Sequence, residues 1–200
     1  YENKSRDIDI LYVGKYLNES ENFHYYRRKN YGQAIEILNM LAENGKKVFI
    51  IGNNWDKFKG YMSPNISFEN PLHNLYSSFY KRAKILLSTS IYEGGPVSWL
   101  EGMASGCSLI SYPTGFAKDA SIPNIGNYLM PVNSKSETII NFINDLIKNY
   151  RQLSIEQYEL REEIIFNARL EELYKILNNI NKSNAKKRIN WIVNREKLNN

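Results

Sequence analysis

The feature that most narrows the fold is a set of short apolar runs with no polar residue inside them. They are Ile10-Leu11-Tyr12-Val13, Val48-Phe49-Ile50-Ile51 and Ile85-Leu86-Leu87. Strand side chains alternate between the two faces of a sheet, so an unbroken apolar run implies that both faces are covered. Sheets of that kind are parallel, and parallel strands need a crossover, usually a helix. The segments between the runs supply it. Gln33 to Asn44 carries Ala34, Ile35, Leu38, Leu41 and Ala42 on one side and stops at Gly45. Ile66-Ser67-Phe68 is a short third strand, and His73 to Ala83 is a helix. Ser108 to Tyr112 and Tyr128-Leu129-Met130 are further strands. Ser134-Lys135-Ser136-Glu137 is a capping box that opens a helix to about Asn149, with Ile139, Ile143, Leu146 and Ile147 facing inward. Ser154 to about Leu177 is a longer helix. The alternation predicts an α/β fold, a parallel sheet wound on both sides.

The chemistry concentrates between the strand at Ile85-Leu87 and the strand at Ser108, in the stretch Ser90 to Gly106. Gly94 and Gly95 let a ligand approach the backbone closely. Pro96 suits a first helical position, where its missing N–H costs nothing. The amides that follow, through Val97, point out of the helix start with the positive end of the dipole behind them, an anion site. Two carboxylates bracket it. Glu93 precedes the turn, and Glu101 lies about 7–8 Å along the helix axis from Pro96 at roughly 1.5 Å per residue. Phosphate-binding amides between two hydroxyl acceptors fit a polyol, a diphosphate and a ribose in that order. Ser98 and Glu101 also match a Ser-x-x-Glu capping box, which would make Glu101 a structural residue.

The string Glu93-Gly94-Gly95-Pro96-Val97-Ser98-Trp99-Leu100-Glu101-Gly102-Met103-Ala104-Ser105-Gly106 resembles the donor-site motif of retaining GT-B glycosyltransferases, especially glycosyltransferase family 4 (group 1). That motif has two glutamates separated by seven residues. Gly102 departs from it, standing where the family usually has Ala. The resemblance covers about residues 8–177 and implies a Rossmann-like sheet, the C-terminal donor-binding lobe of a GT-B fold. It implies that Lys15, where the family has Arg, and Lys29 contact the donor diphosphate; the long intervening loop leaves Arg28 as an alternative to Lys29. It implies that the backbone of Leu72 meets the nucleotide base, that Gly94 to Val97 hold phosphate, that Glu101 accepts from the ribose, and that Glu93 holds the sugar. The implied activity is transfer of a hexosyl unit from a nucleotide-diphosphate sugar with retention, in surface polysaccharide or glycoconjugate synthesis. No metal or other cofactor is expected. The implied partners are the donor and an acceptor-binding N-terminal lobe that is not among these residues. A GT-B-type sugar-nucleotide epimerase would need general acids and bases around the sugar, which are scarce here. A non-catalytic nucleotide-sugar-binding module is the other alternative.

Other classes find little support. No G-x-G-x-x-G follows a strand and no P-loop is present. Asp7-Ile8-Asp9 looks like a metal-binding D-x-D, but it precedes a strand instead of following one. His24 and His73 show no metal-ligand spacing. The net charge is +5, and residues 179–200 alone carry +5, so residues 1–178 sum to zero and present no nucleic-acid surface. That division suggests a lobe over 1–178 and a basic tail over 179–200. The tail suits peripheral contact with anionic membrane, or the crossover helix of GT-B enzymes, or disorder. Cys107 is the only cysteine, which fits a reducing, cytoplasmic setting and a small buried residue. No run of about 18 apolar residues and no signal peptide is visible. The first residue is Tyr1, not Met, which suggests a fragment of a longer protein.

Overall fold

The computed structural model describes residues 6–94, 96–118, 126–151, 157, 159–163 and 166. Six strands form one parallel sheet: β1 (Ile8–Val13), β2 (Val48–Ile51), β3 (Ile66–Glu69), β4 (Ala83–Ser88), β5 (Ser108–Ser111) and β6 (Asn127–Leu129). Their spatial order is β3-β2-β1-β4-β5-β6. The apolar runs occupy the middle of this sheet. Ile10, Tyr12, Ile85, Leu87 and Ile110 belong to one core cluster, with α2 (Tyr31–Glu43) and α5 (Ser136–Lys148). Leu11, Leu86 and Leu109 belong to a second, with α3 (Tyr76–Arg82) and α4 (Val97–Ala104). The period-two alternation of β1 and β4 thus feeds both layers, which is why their sequence shows no alternation of polarity.

The helix boundaries differ from the expectations in five places; one is the segment expected to be helical from His73 to Ala83, which is a single turn at His73–Leu75 followed by α3, with Ala83 already in β4. The polar, aromatic stretch after β1 contains a helix, α1 (Phe23–Lys29), that the sequence had suggested was loop. Asn22 caps it, accepting from the Tyr25 amide at 2.9 Å. Asn30, at φ 52°, closes α1 and opens α2 in one residue. No residue of α1 is buried, so it has no apolar stripe to reveal it. α2 begins at Tyr31, two residues before Gln33, and buries Ile37 where Ile35 is only half-buried. Pro96 is the cap of α4, not its first residue, because its ψ of 103° is extended; its carbonyl accepts from Trp99 N–H at 2.9 Å. α5 starts at Ser136 with Lys135 as its cap, so the proposed box does not form. Ser134 Oγ donates instead to Pro131 O at 2.6 Å, and Ser136 Oγ to Glu36 Oε2 at 2.5 Å, pinning α5 to α2.

The expected helix from Ser154 to Leu177 is helical at residues 157, 159–163 and 166, and the rest lies outside the described residues, as does the tail. Arg161 ties that helix to the lobe. It is fully buried and donates to Met103 O at 3.1 Å and to Asn127 Oδ1 at 3.2 Å. Cys107 is buried, as expected, and burial pushes its thiol up to about 11. No helix among the described residues is long and apolar enough to cross a membrane.

Candidate functional site

The strand order reverses between β1 and β4, since β2 and β3 lie on one side and β5 and β6 on the other. The loops leaving such a pair part in opposite directions and open a crevice at the carboxyl ends, the usual ligand position in open α/β sheets. A crevice does lie there, lined among others by Val13, Gly14, Lys29, Ser90, Glu93 and Pro96.

Glu93 is its electrostatic centre. Lys29 Nζ donates to Oε1 at 2.5 Å, and Arg28 Nη1 donates to Oε2 at 2.9 Å. The Glu93 side chain is 11% exposed and that of Lys29 19%. Burial pushes the Glu93 carboxyl up, but the hydrogen bond and charge of Lys29, with Arg28 behind it, outweigh that and hold it below the usual carboxylate range. Both cations are set by backbone ties from α1 to the segment after β4. Ile91 N–H donates to Arg28 O at 2.9 Å, and the buried Thr89 hydroxyl donates to Lys29 O at 2.9 Å. The Tyr25 ring stands beneath both, 4.9 Å from the Arg28 guanidinium and 5.8 Å from Lys29 Nζ. Arg28 and Lys29 were alternatives for one role; each takes one oxygen of the same carboxylate.

A second turn braces the glutamate from the far side. Glu93 N–H donates to Thr114 Oγ1 at 2.7 Å. Gly115 sits at φ 53°, and a Cβ there would meet Gly94 O at 2.7 Å and Glu93 O at 2.8 Å. Only glycine combines that conformation with that approach. The Pro113-to-Phe116 stretch reads in sequence simply as a turn near the sheet edge; its contact with Glu93 joins residues about 21 apart and leaves no local signal.

Glu101 sits in α4 on the neighbouring rim. Tyr80 OH donates to its Oε2 at 2.8 Å, and His73 Nε2 lies 3.6 Å from its Oε1. Ser98 is inside the first turn of α4 and not its cap, so the capping-box role of Glu101 does not occur. α4 presents the first-turn amides of Val97 and Ser98 beside Pro96, since the leading N–H groups of a helix have no intrahelical partner. Gly94 is exposed, and Gly95 lies outside the described residues. Lys15 follows β1 and is exposed, and it does not line the crevice; its carbonyl accepts from Tyr31 OH. Leu72 is 73% exposed and precedes the single turn His73–Leu75, its carbonyl accepting from Leu75 N–H at 2.9 Å. Asp7 and Asp9 are bound elsewhere, at the amino end of β1. Asp7 holds Arg82 at 2.6 Å, and Asp9 holds Lys84 at 2.6 Å and the Lys47 amide at 2.9 Å.

Gly102, the departure from the family pattern, has a packing reason. A Cβ there would lie 2.5 Å from Leu86 Cδ2 and 3.1 Å from Leu109 Cδ2. The bare backbone lets α4 lie close on β4 and β5.

These features define a class: a doubly wound α/β lobe whose switch point carries cations, glutamates and a helix start. The family model described as glycosyl transferases group 1 matches residues 23–171, and the chain belongs to that family. No curated protein sequence matches it. Among solved structures, it is similar to pneumococcal O-GlcNAc transferase GtfA in complex with UDP and GlcNAc, at 15% identity and TM-score 0.59, over 86% of this chain and 35% of that one. It is similar to Anabaena HepE in complex with UDP-glucose, at 12% identity and TM-score 0.62, over 87% of this chain and 50% of that one. WaaG, a glycosyltransferase involved in lipopolysaccharide biosynthesis, matches at 20% identity and TM-score 0.54, over 82% of this chain and 42% of that one. The chain therefore spans a third to a half of their length and has the fold of one Rossmann-like GT-B lobe.

Proposed function

We propose that this chain is the donor-binding lobe of a retaining, family 4-type glycosyltransferase that moves a hexosyl unit from a nucleotide-diphosphate sugar during surface polysaccharide or glycoconjugate synthesis. The observation that carries this reading is the Arg28–Glu93–Lys29 cluster in the switch-point crevice, beside the start of α4. A diphosphate leaving group needs its charge stabilised more than it needs a proton. Lys29 and Arg28 supply positive charge at short range, Lys15 extends it, and the amides of Gly94, Gly95 and Val97 on either side of Pro96 add the helix start. Glu101 accepts from the ribose, Glu93 holds sugar hydroxyls, and the Leu72 backbone meets the base. Such a site works without a metal. Neighbours of this fold that hold UDP with GlcNAc, or UDP-glucose, support a nucleotide sugar as the ligand class, and a neighbour in lipopolysaccharide biosynthesis supports the pathway class. The acceptor would bind a second lobe facing this crevice.

Calorimetric titration of the 200-residue chain with UDP-, GDP- and ADP-sugars in the presence of chelator tests the proposal. One nucleotide class should bind without a divalent ion. Absence of binding, or strict dependence on a divalent ion, would overturn it.

A further inference from the structure

We propose that Tyr80 is a positioning residue that fixes Glu101 for the ribose of the donor. The inference rests on the reading of Glu101 as the ribose acceptor. Tyr80 belongs to α3, which precedes β4, and Glu101 belongs to α4, which follows it. Their sequence separation of 21 residues puts them in no common motif. In space the phenol crosses from one helix to the other and donates to Glu101 Oε2 at 2.8 Å.

The tyrosine is itself held rigidly. The residue is 1% exposed and packs in the core cluster with Trp99, Met103 and Cys107. Its carbonyl accepts from Arg6 Nη1 at 2.9 Å and from Cys107 Sγ at 3.1 Å. Burial, then the nearby Glu101 charge, push the phenol far above its ordinary range, so it remains a neutral donor throughout the working pH range. Glu101 is different. Its side chain is 31% exposed and sits on a helix surface, where a free carboxylate would sample several rotamers. The Tyr80 hydroxyl takes one oxygen and leaves Oε1 turned to the rim, where His73 Nε2 stands 3.6 Å away, beyond hydrogen-bond distance. A carboxylate offers about four acceptor positions, so one bond from Tyr80 leaves room for a vicinal diol. Fixing the acceptor beforehand removes an ordering cost that binding would otherwise bear.

The test compares affinities of the 200-residue chain for UDP, GDP and ADP with those for their 2′,3′-dideoxy counterparts, with inorganic pyrophosphate as the control that has no ribose. Wild type should prefer the hydroxylated form of its nucleotide about tenfold or more. Tyr80→Phe keeps the ring and loses only the hydroxyl. It should reduce that preference at least threefold while pyrophosphate affinity stays at the wild-type value. In a Glu101→Gln background the same substitution should change the preference no further, because the two residues act through one bond. Tyr80→Phe with the full wild-type preference would overturn the inference and leave the ribose reading standing. An equal loss for all ligands would also overturn it, because that marks a purely structural residue. A wild-type chain with no preference for the hydroxylated nucleotide would overturn the ribose reading, and the inference with it.

Discussion

At the scale of single residues, Glu93 holds two cations by opposite oxygens, and any anion entering the crevice competes with it for them. Glu93→Gln should therefore strengthen binding of inorganic pyrophosphate several-fold, measured by calorimetry at neutral pH, because both cations lose a counter-charge. Unchanged or weaker binding would show that Arg28 and Lys29 do not meet phosphate. The same carboxyl sets a pH dependence. Its folded pKa is depressed, so its contribution to stability is present above the ordinary carboxylate range and is lost as pH falls through the lower folded value. Urea unfolding between pH 7 and pH 3 should show an acid loss that is smaller in Glu93→Gln; Asp7 and Asp9, also depressed, account for part of the remainder. The glutamate pair was legible because both sit in one local string, and Lys29 with its alternative Arg28 because they form a basic run before a helix; Lys15, beside a strand end, is exposed and stays outside the crevice. Tyr80, Thr114 and Gly115 were not, because what they do depends on contacts that only the folded chain makes.

At the scale of elements, the strands were readable because a doubly covered strand must be apolar throughout, and all six were placed within about a residue or two. α1 was not readable, because it buries nothing and is held by caps and by its ties to the loop after β4. The start of α4 was off by one for a local reason, the extended ψ of Pro96. Two glycines give element-scale predictions. Gly115→Ala places a Cβ against two backbone oxygens that cannot move aside, in a conformation that L side chains rarely adopt. It should cost about 1–3 kcal/mol of stability and weaken nucleotide binding by displacing Glu93. Gly102→Ala meets flexible leucine tips instead. Overpacking costs about 1–3 kcal/mol, and the helix-propensity gain of about 1 kcal/mol offsets part of it. A net loss of about 1 kcal/mol with nucleotide affinity unchanged is expected from chemical denaturation and titration; a gain in stability would show that Leu86 and Leu109 repack freely.

At the scale of the molecule, the sheet order places the reversal of winding between β1 and β4, and Glu93, its two cations and the turn before α4 lie there. Alternation of strands and helices made the doubly wound class legible, whereas the docking of the last described helix was not, since the buried Arg161 that ties it to the lobe meets its partners only in the fold. Arg161 helps make that helix part of the lobe, so truncation after residue 150 should cost about 2 kcal/mol or more by removing its hydrogen bonds to Met103 O and Asn127 Oδ1. Truncation after residue 178 removes only the basic tail and should change stability by less than about 1 kcal/mol. Loss of the cooperative transition in the second truncation would place the tail inside the folding unit. The central claim is that the crevice between β1 and β4 is the donor site. Backbone amide NMR of the 200-residue chain, titrated with the tightest-binding nucleoside diphosphate in chelator, locates the ligand directly. The account predicts the largest shifts at Gly14, Lys29, Gly94, Gly95, Val97 and Ser98, with Glu101 and His73 following. Shifts confined to the amino ends of the strands, or to the β6 edge, would contradict it.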